Sequence, residues 1–452
     1  MLQLRWIMRP TSRPTGLSLT SISHLPREQV FTNSFMSSVA FSKLLALLIS
    51  LAVFALPTLL MAQAGSLDPT FGINGIVTTA NTSANAAALQ SDGKIVVAGS
   101  ISIVQNSQQP GLLRYNTNGT LDPNFGAGGE VMIAVGSSNT GPAIAVAIQT
   151  DGKILAAAPA NLRLTVYRFN TNGSPDNTFG SNGVVAIEAA GFFLGPASGG
   201  IAVQSDGRIL VATGGILARL LTNGQLDSTL GANGVVPTAG GGSIALLPNG
   251  EILIGFGFGS VTSLYTANGR LDTTFGVDGQ TPGFAFNDGA GGFVVTTDTT
   301  TNVTKVITAG SLITSPSLIF GGSTSGFLLV RYNSNGTVDT SFGSHGGVAT
   351  PFPGKVLARA LAVALQTNGD IVAAGQTAAT DVNGVPDPSD FGLARYAANG
   401  KIDRTFGNGG FVSTPFGNSE ASANTVLIQT DGKIVAAGNS NNGTTIARYL
   451  AN

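Results

Sequence analysis

The sequence predicts an all-β protein: a single seven-bladed propeller of four-stranded antiparallel blades, with one blade assembled from both ends of the chain. Three observations predict it. A phrase of the form LDxTFGxxG returns seven times, a hairpin phrase alternates with it, and the chain starts and stops inside a repeat. Tandem self-similarity is the mark of an architecture whose units cannot bury their own apolar faces and so stack on their neighbours.

The recurrent phrase begins at Leu67, Leu121, Pro175, Leu226, Leu271, Val338 and Ile402. Its Asp is placed to cap a short turn, and Pro follows it in two copies, as suits a first helical position. The Phe then plugs an apolar gap. The last Gly returns the chain to a short fourth strand such as "GVVAI", Gly183 to Ile187. The alternating phrase, "ALQSDGKIVVAG" and its relatives, is one strand, a turn and a second strand, because Asp-Gly and Asn-Gly tolerate the positive φ that a tight hairpin needs. In the fifth copy this phrase is expected in the worn form "AFNDGAGGFVVT". A third phrase, "LLRYNTNG" and its relatives, supplies the third strand and another Asn-Gly turn. Insertions enlarge the fifth and sixth blades. The stretch from Phe293 to Phe327 leaves room for an extra hairpin or an eighth blade.

The propeller is expected over residues 65–452. It opens with "GSLDPTFGINGIV", the closing part of a repeat, and ends with "TTIARYLAN", where that part should follow. Sharing a blade in this way closes the ring by strand pairing and removes free sheet edges. Residues 1–64 stand apart as an N-terminal extension and signal peptide. Lys43, the apolar run Leu44 to Leu60 and the small residues Ala62 and Ala64 form a secretory signal with cleavage expected after Ala64, which places the product in the periplasm or outside the cell. Met36 is the expected start of translation, and an uncleaved anchor is the alternative reading of the apolar run.

Composition narrows the chemistry. Gly accounts for 62 of 452 residues, only 10% are charged and none is Cys. Disulfides, thiolate metal sites and a lipid-modified Cys are thereby excluded. Removing the leader takes away five of the 22 Lys and Arg and one of the 23 Asp and Glu, leaving a mildly acidic chain without the basic face of a nucleic-acid binder.

Taken together, the DGKI, LARY and LDxTFG phrases resemble the delta-60 repeat, a family of tandem units in secreted and surface bacterial proteins. The resemblance covers Gly65 to Asn452 and implies a propeller. It attaches no single reaction and no catalytic residues. The fourth copy departs most, with Leu230 for the Phe, Leu264 for the Arg and Pro248-Asn249 for the usual polar-Asp pair.

The recurrent charges invite a functional reading. An Arg stands eight residues before an Asp in Arg114 and Asp122, Arg168 and Asp176, and Arg395 and Asp403; in the split blade the partners are Arg448 and Asp68. A catalytic group is needed once, whereas a fold-holding pair is needed in every blade, so these are expected to be structural ion pairs. Beyond the leader the sole histidine is His345, in a turn, which leaves little material for a triad or a His-based metal centre. "GFGFG" at Gly255 lacks the helix a dinucleotide site requires. The sixth-blade insertion carries Asp381, Asn383, Asp387 and Asp390 around a Gly turn, a set of hard oxygen ligands that calcium accepts. No other cofactor is implied.

Two function classes compete. The first is a secreted, monomeric, non-enzymatic scaffold that presents a propeller face to a protein, a glycan or a cell-surface component. The second is a propeller hydrolase or lyase using carboxylates near the central channel, for which Glu188, Asp288 and Asp298 are the off-repeat acids outside the sixth insertion.

Overall fold

The structure, a computed structural model, describes residues 63–451 except 105–106, 134–140, 161–162, 189–198, 214, 256–260, 284–289, 299–302, 317–322 and 381–386. It is an antiparallel seven-bladed propeller, with no helix among the described residues. The first strand, β1 (Ile76–Thr79), belongs to the last blade. The first blade is β2 (Thr82–Leu89), β3 (Ile95–Val104), β4 (Ser107–Tyr115) and β5 (Glu130–Met132); the second is β6 (Ala145–Ile148), β7 (Ile154–Ala160), β8 (Arg163–Phe169) and β9 (Val184–Ile187). The third is β10 (Gly199–Val203), β11 (Ile209–Thr213), β12 (Ile216–Leu220) and β13 (Val235–Pro237). The fourth has β14 (Ile244–Leu246), β15 (Ile252–Gly255) and β16 (Thr262–Tyr265), with Gln280 bridging Ser263 in the fourth place.

The fifth blade is β17 (Ala290–Asp298), β18 (Val303–Pro316), β19 (Ser323–Asn333) and β20 (Gly347–Thr350); the sixth is β21 (Leu357–Leu365), β22 (Ile371–Ala378), β23 (Asp390–Tyr396) and β24 (Phe411–Thr414). The seventh is β25 (Ala421–Ile428), β26 (Ile434–Ser440) and β27 (Gly443–Tyr449), completed by β1. The expected closure is there: Ile76 pairs with Ala447 and Thr79 with Thr444.

The second and third strands of a blade are buried along their length, as in the run "ILVAT" of β11 and "ILARL" of β12. Each is covered on both faces by neighbouring blades, which is why these strands read as continuous apolar runs and not as an alternation. Between consecutive blades lies an apolar cluster. The one between the seventh and first blades joins Phe71, Val435, Ala437 and Ile446 to Ile95, Val97 and Tyr115. The first strands line the centre of the ring: β2, β6, β10 and β14 follow one another, as do β17, β21 and β25, and β25 closes on β2. Between the two runs, β17 meets the fourth blade at β15.

Blades approach closely where the Asn-Gly turn of one blade meets the Phe-Gly turn of the one before. Gly72 N–H donates to Asn118 O at 2.8 Å, and Gly119, at φ 88°, would carry a Cβ only 2.9 Å from Gly72 N. Only glycine fits both the left-handed backbone and the gap. At the last such contact Gly407 N–H donates to Ala64 O at 2.7 Å, and Gly65, at φ 84°, holds the glycine place.

One expectation is corrected in the fifth blade. "GGFVVT" is not the second strand of a hairpin turned at Asp288-Gly289: it lies in β17, and the second strand is β18, with Thr297 opposite Thr304 and Asp298 opposite Val303. The hairpin connection falls at 299–302, where the sequence has no Asp-Gly or Asn-Gly to announce it. The stretch from Phe293 to Phe327 therefore holds the blade's own β18 and the start of β19, and no eighth sheet is present among the described residues.

Candidate functional site: the repeated arginine clasp

A polar cluster built from the LDxTFG phrase recurs from blade to blade. In the split blade, Asp68 Oδ1 accepts the N–H of Thr70 at 3.0 Å and its hydroxyl at 2.7 Å, which shapes the turn. Oδ2 is left for Arg448, whose Nε donates to it at 2.9 Å. The other guanidinium nitrogens are used as well: Nη2 donates to Thr70 Oγ1 at 3.0 Å, and Nη1 donates to Thr117 O of the first blade. The guanidinium lies over the Phe71 ring, 4.6 Å from its centroid. One Arg thus closes a turn, pairs a charge, covers an aromatic ring and ties its blade to the next.

The ion pair and the reach to the next blade repeat. Nε donates to the carboxylate in Arg114 to Asp122 at 2.9 Å, Arg168 to Asp176 at 2.7 Å, Arg219 to Asp227 at 2.7 Å, Arg331 to Asp339 at 2.8 Å and Arg395 to Asp403 at 2.8 Å. Nη1 reaches a carbonyl of the following blade in each: Thr171 from Arg114, Thr222 from Arg168, Ala267 from Arg219, Ala398 from Arg331 and Ala451 from Arg395. Leu264 stands in the fourth blade's Arg position, so that blade has no clasp.

A second cation was not anticipated by the eight-residue spacing. The Lys of the hairpin turn reaches the same carboxylate, in Lys433 to Asp68 at 3.5 Å, Lys94 to Asp122 at 3.4 Å and Lys153 to Asp176 at 3.2 Å; Arg208 does so to Asp227 at 3.0 Å. The signal is in the sequence as the K or R of "DGK" and "DGR", but its partner lies two strands away. Burial alone would push the Asp68 carboxyl up; the hydrogen bonds from Thr70 and the charges of Arg448 and Lys433 outweigh it and hold the group below the usual carboxylate range. Asp122, Asp176, Asp227 and Asp403 are lowered by the same balance.

Further links between blades lie outside the clasp. Asn85 and Asn424, each at a β-bulge, donate through Nδ2 to the next blade's backbone, at Ala143 O (3.0 Å) and Ala84 O (2.8 Å). Tyr115 and Tyr449 hydroxyls meet Thr79 and Thr414 of the preceding blade at 2.7 and 2.8 Å. Clefts open on the face of the hairpin turns, among them one of ≈ 710 Å³ between the seventh and first blades and one of ≈ 440 Å³ between the first and second. Both are walled by repeat residues, with Gln90 and Asp92 shared.

The remaining candidates are dispersed. His345 is exposed at φ 55°, in the turn position that Asn74, Asn182 and Asn233 hold elsewhere, with Nδ1 3.1 Å from Ser344 Oγ. Glu188 forms an exposed pair with Arg163 at 2.8 Å. In the sixth-blade insertion, Asp390 Oδ2 is held by Lys355 Nζ and Ser413 Oγ, both at 2.7 Å, and Asp387 is exposed. Asp381, Asn383 and Asp288 lie outside the described residues, and among those described no three metal-ligating groups cluster.

A family profile described as a domain of unknown function (DUF5122) beta-propeller matches residues 90–125, 149–179, 204–230, 317–342, 366–406 and 429–452. These are the repeats of a β-propeller family. Each of the six matched segments holds a clasp Arg, and five of them run on into the LDxTFG phrase that carries its Asp. Solved structures similar in fold include a catalytically inactive virginiamycin B lyase from Staphylococcus aureus with quinupristin, at 11% identity and TM-score 0.46, covering 83% of this chain and 99% of that one. They also include the extracellular domain of a two-component system from B. thetaiotaomicron, at 15% identity and TM-score 0.44, covering 86% of this chain and 40% of that one. Drosophila Plexin A in complex with Semaphorin 1b is similar at 10% identity and TM-score 0.44, covering 86% and 88%. No curated protein matches the chain. Among the described residues no helix is long and apolar enough to cross a membrane, which leaves strand-built spans untouched.

Proposed function

We propose that this protein is a secreted, non-enzymatic propeller of delta-60-type repeats that serves as a binding or structural scaffold for a protein, a glycan or another cell-surface component. One observation carries the reading: the Arg and Asp of the recurrent clasp are used up in shaping turns and holding blades together. Each clasp carboxylate has one oxygen in its turn and the other on a guanidinium, as in Asp176 with Thr178 and Arg168. The off-repeat acids that the structure describes in contact, Glu188 and Asp390, end in separate ion pairs and not in a convergent set. A hydrolase or lyase needs two groups of tuned protonation facing one substrate.

The test starts with expression from the native leader. Mature protein is expected in the periplasm or medium with its N-terminus at Gly65 or within a few residues, and retention of residues 1–35 would contradict export by this leader. The purified protein is then presented with a glycan array and with isolated cell-surface material. A bound ligand recovered at unchanged mass supports the scaffold; a ligand returned cleaved supports the enzyme.

A further inference from the structure

The ring is not equally fastened all round. Six junctions carry an Arg that crosses into the next blade, from Arg448, Arg114, Arg168, Arg219, Arg331 and Arg395. The junction between the fourth and fifth blades has none. Leu264 occupies the position, 3% exposed, and Asp272 keeps its turn bonds to Thr274 without a cation on it among the described residues. Glu251 stands where the hairpin Lys would be, so the second cation is missing too.

Packing is thin at the same place. β14 has three residues, the shortest first strand in the ring, and β17 meets this blade through β15 instead. Among the described residues the apolar clusters at the third–fourth and fourth–fifth junctions are the smallest, with eight buried residues each, against nine to 13 elsewhere. The third–fourth junction adds the Arg219 clasp to its cluster. The fourth–fifth junction adds the Gly276 N–H bond to Asn335 O at 2.7 Å and the Tyr332 hydroxyl bond to Pro282 O at 3.3 Å.

We infer that the propeller opens between its fourth and fifth blades, and not at the split blade where the ends of the propeller pair. The split blade has no peptide bond joining β27 to β1, but it has a complete clasp, four paired residues and an additional Lys433 contact. A closed ring can part only where the contacts across one junction fail together, and among the described residues this is the junction with the fewest to lose.

Native-state hydrogen exchange of the full chain tests this. Peptides covering 262–283 and 290–298 are expected to exchange about 10-fold or more faster than the equivalent peptides of the first and second blades, and faster than those covering β1 and β27. Leu264→Arg, placed to reach Asp272 and the Ser334 carbonyl, should slow exchange there. Arg219→Leu should create a second fast junction between the third and fourth blades, so the inference stays testable if Leu264→Arg does not fold. Fastest exchange at β1 and β27, or uniform exchange around the ring, would overturn it.

Discussion

Replacing Arg448 with Ala removes more than one interaction, and the structure sets the size of the effect. The guanidinium is buried, with a side chain 6% exposed against 2% for Asp68. Removing one partner of a buried pair costs about 3–5 kcal/mol, because the other charge is left without compensation. Here Asp68 would keep its two bonds from Thr70 and a cation at 3.5 Å in Lys433, which is partly exposed. Those remaining contacts put the loss at the low end, about 3 kcal/mol. An exposed pair would have been worth under about 1 kcal/mol. Urea unfolding of the wild type, Arg448→Ala and the exposed control Arg270→Ala measures it, with the control expected to lie within about 0.5 kcal/mol of wild type. A loss below about 1 kcal/mol for Arg448→Ala would refute the claim that this guanidinium fastens the ring.

Three other outcomes follow from the same contacts. The clasp carboxylates have depressed folded pKa values, so they contribute stability that is complete above the unfolded value of about 3.9 and lost as pH falls through the folded values; unfolding followed from pH 7 to 2 should show a flat region and then a steep acid loss, shallower in Asp68→Asn. Deleting residues 444–452 takes away nearly all of β27, exposes the edges of β1 and β26, and should give aggregation on size-exclusion chromatography. Calcium at the sixth-blade insertion, proposed from the carboxylates there, should raise the melting temperature over that in chelator by an increment that Asp387→Ala removes, and identical curves would end that proposal.

The seven-fold architecture was legible because its turns are written in residue chemistry. Asp-Gly, Asn-Gly and the LDxTFG phrase mark positions where only a few residues allow the backbone required, and they recur at the same point of every well-kept copy. The fifth blade was misplaced for the same reason: its hairpin connection at 299–302 has no such residues, while Asp288-Gly289 offered a false signal ahead of β17. The Arg–Asp pairing could be read from its spacing within one repeat. The reach of Nη1 to Thr117 or Thr171 could not, since it joins residues of different blades and depends on how those blades stack. Lys355 with Asp390 was equally hidden: the acid looked like a loop ligand, and its cation lies 35 residues earlier, in the connection that leads into β21.

The ring's closure by its own ends can be measured directly, since the chain has no cysteine to interfere. Thr78 of β1 and Thr445 of β27 are register partners with hydroxyl oxygens 3.5 Å apart, although 367 residues separate them in sequence. Side chains in contact on paired strands are placed for a disulfide. Thr78→Cys with Thr445→Cys, under mild oxidation, should form an intramolecular disulfide in nearly every molecule and raise the melting temperature. Two free thiols after oxidation, or cross-links only between molecules, would contradict a ring closed by β1 on β27.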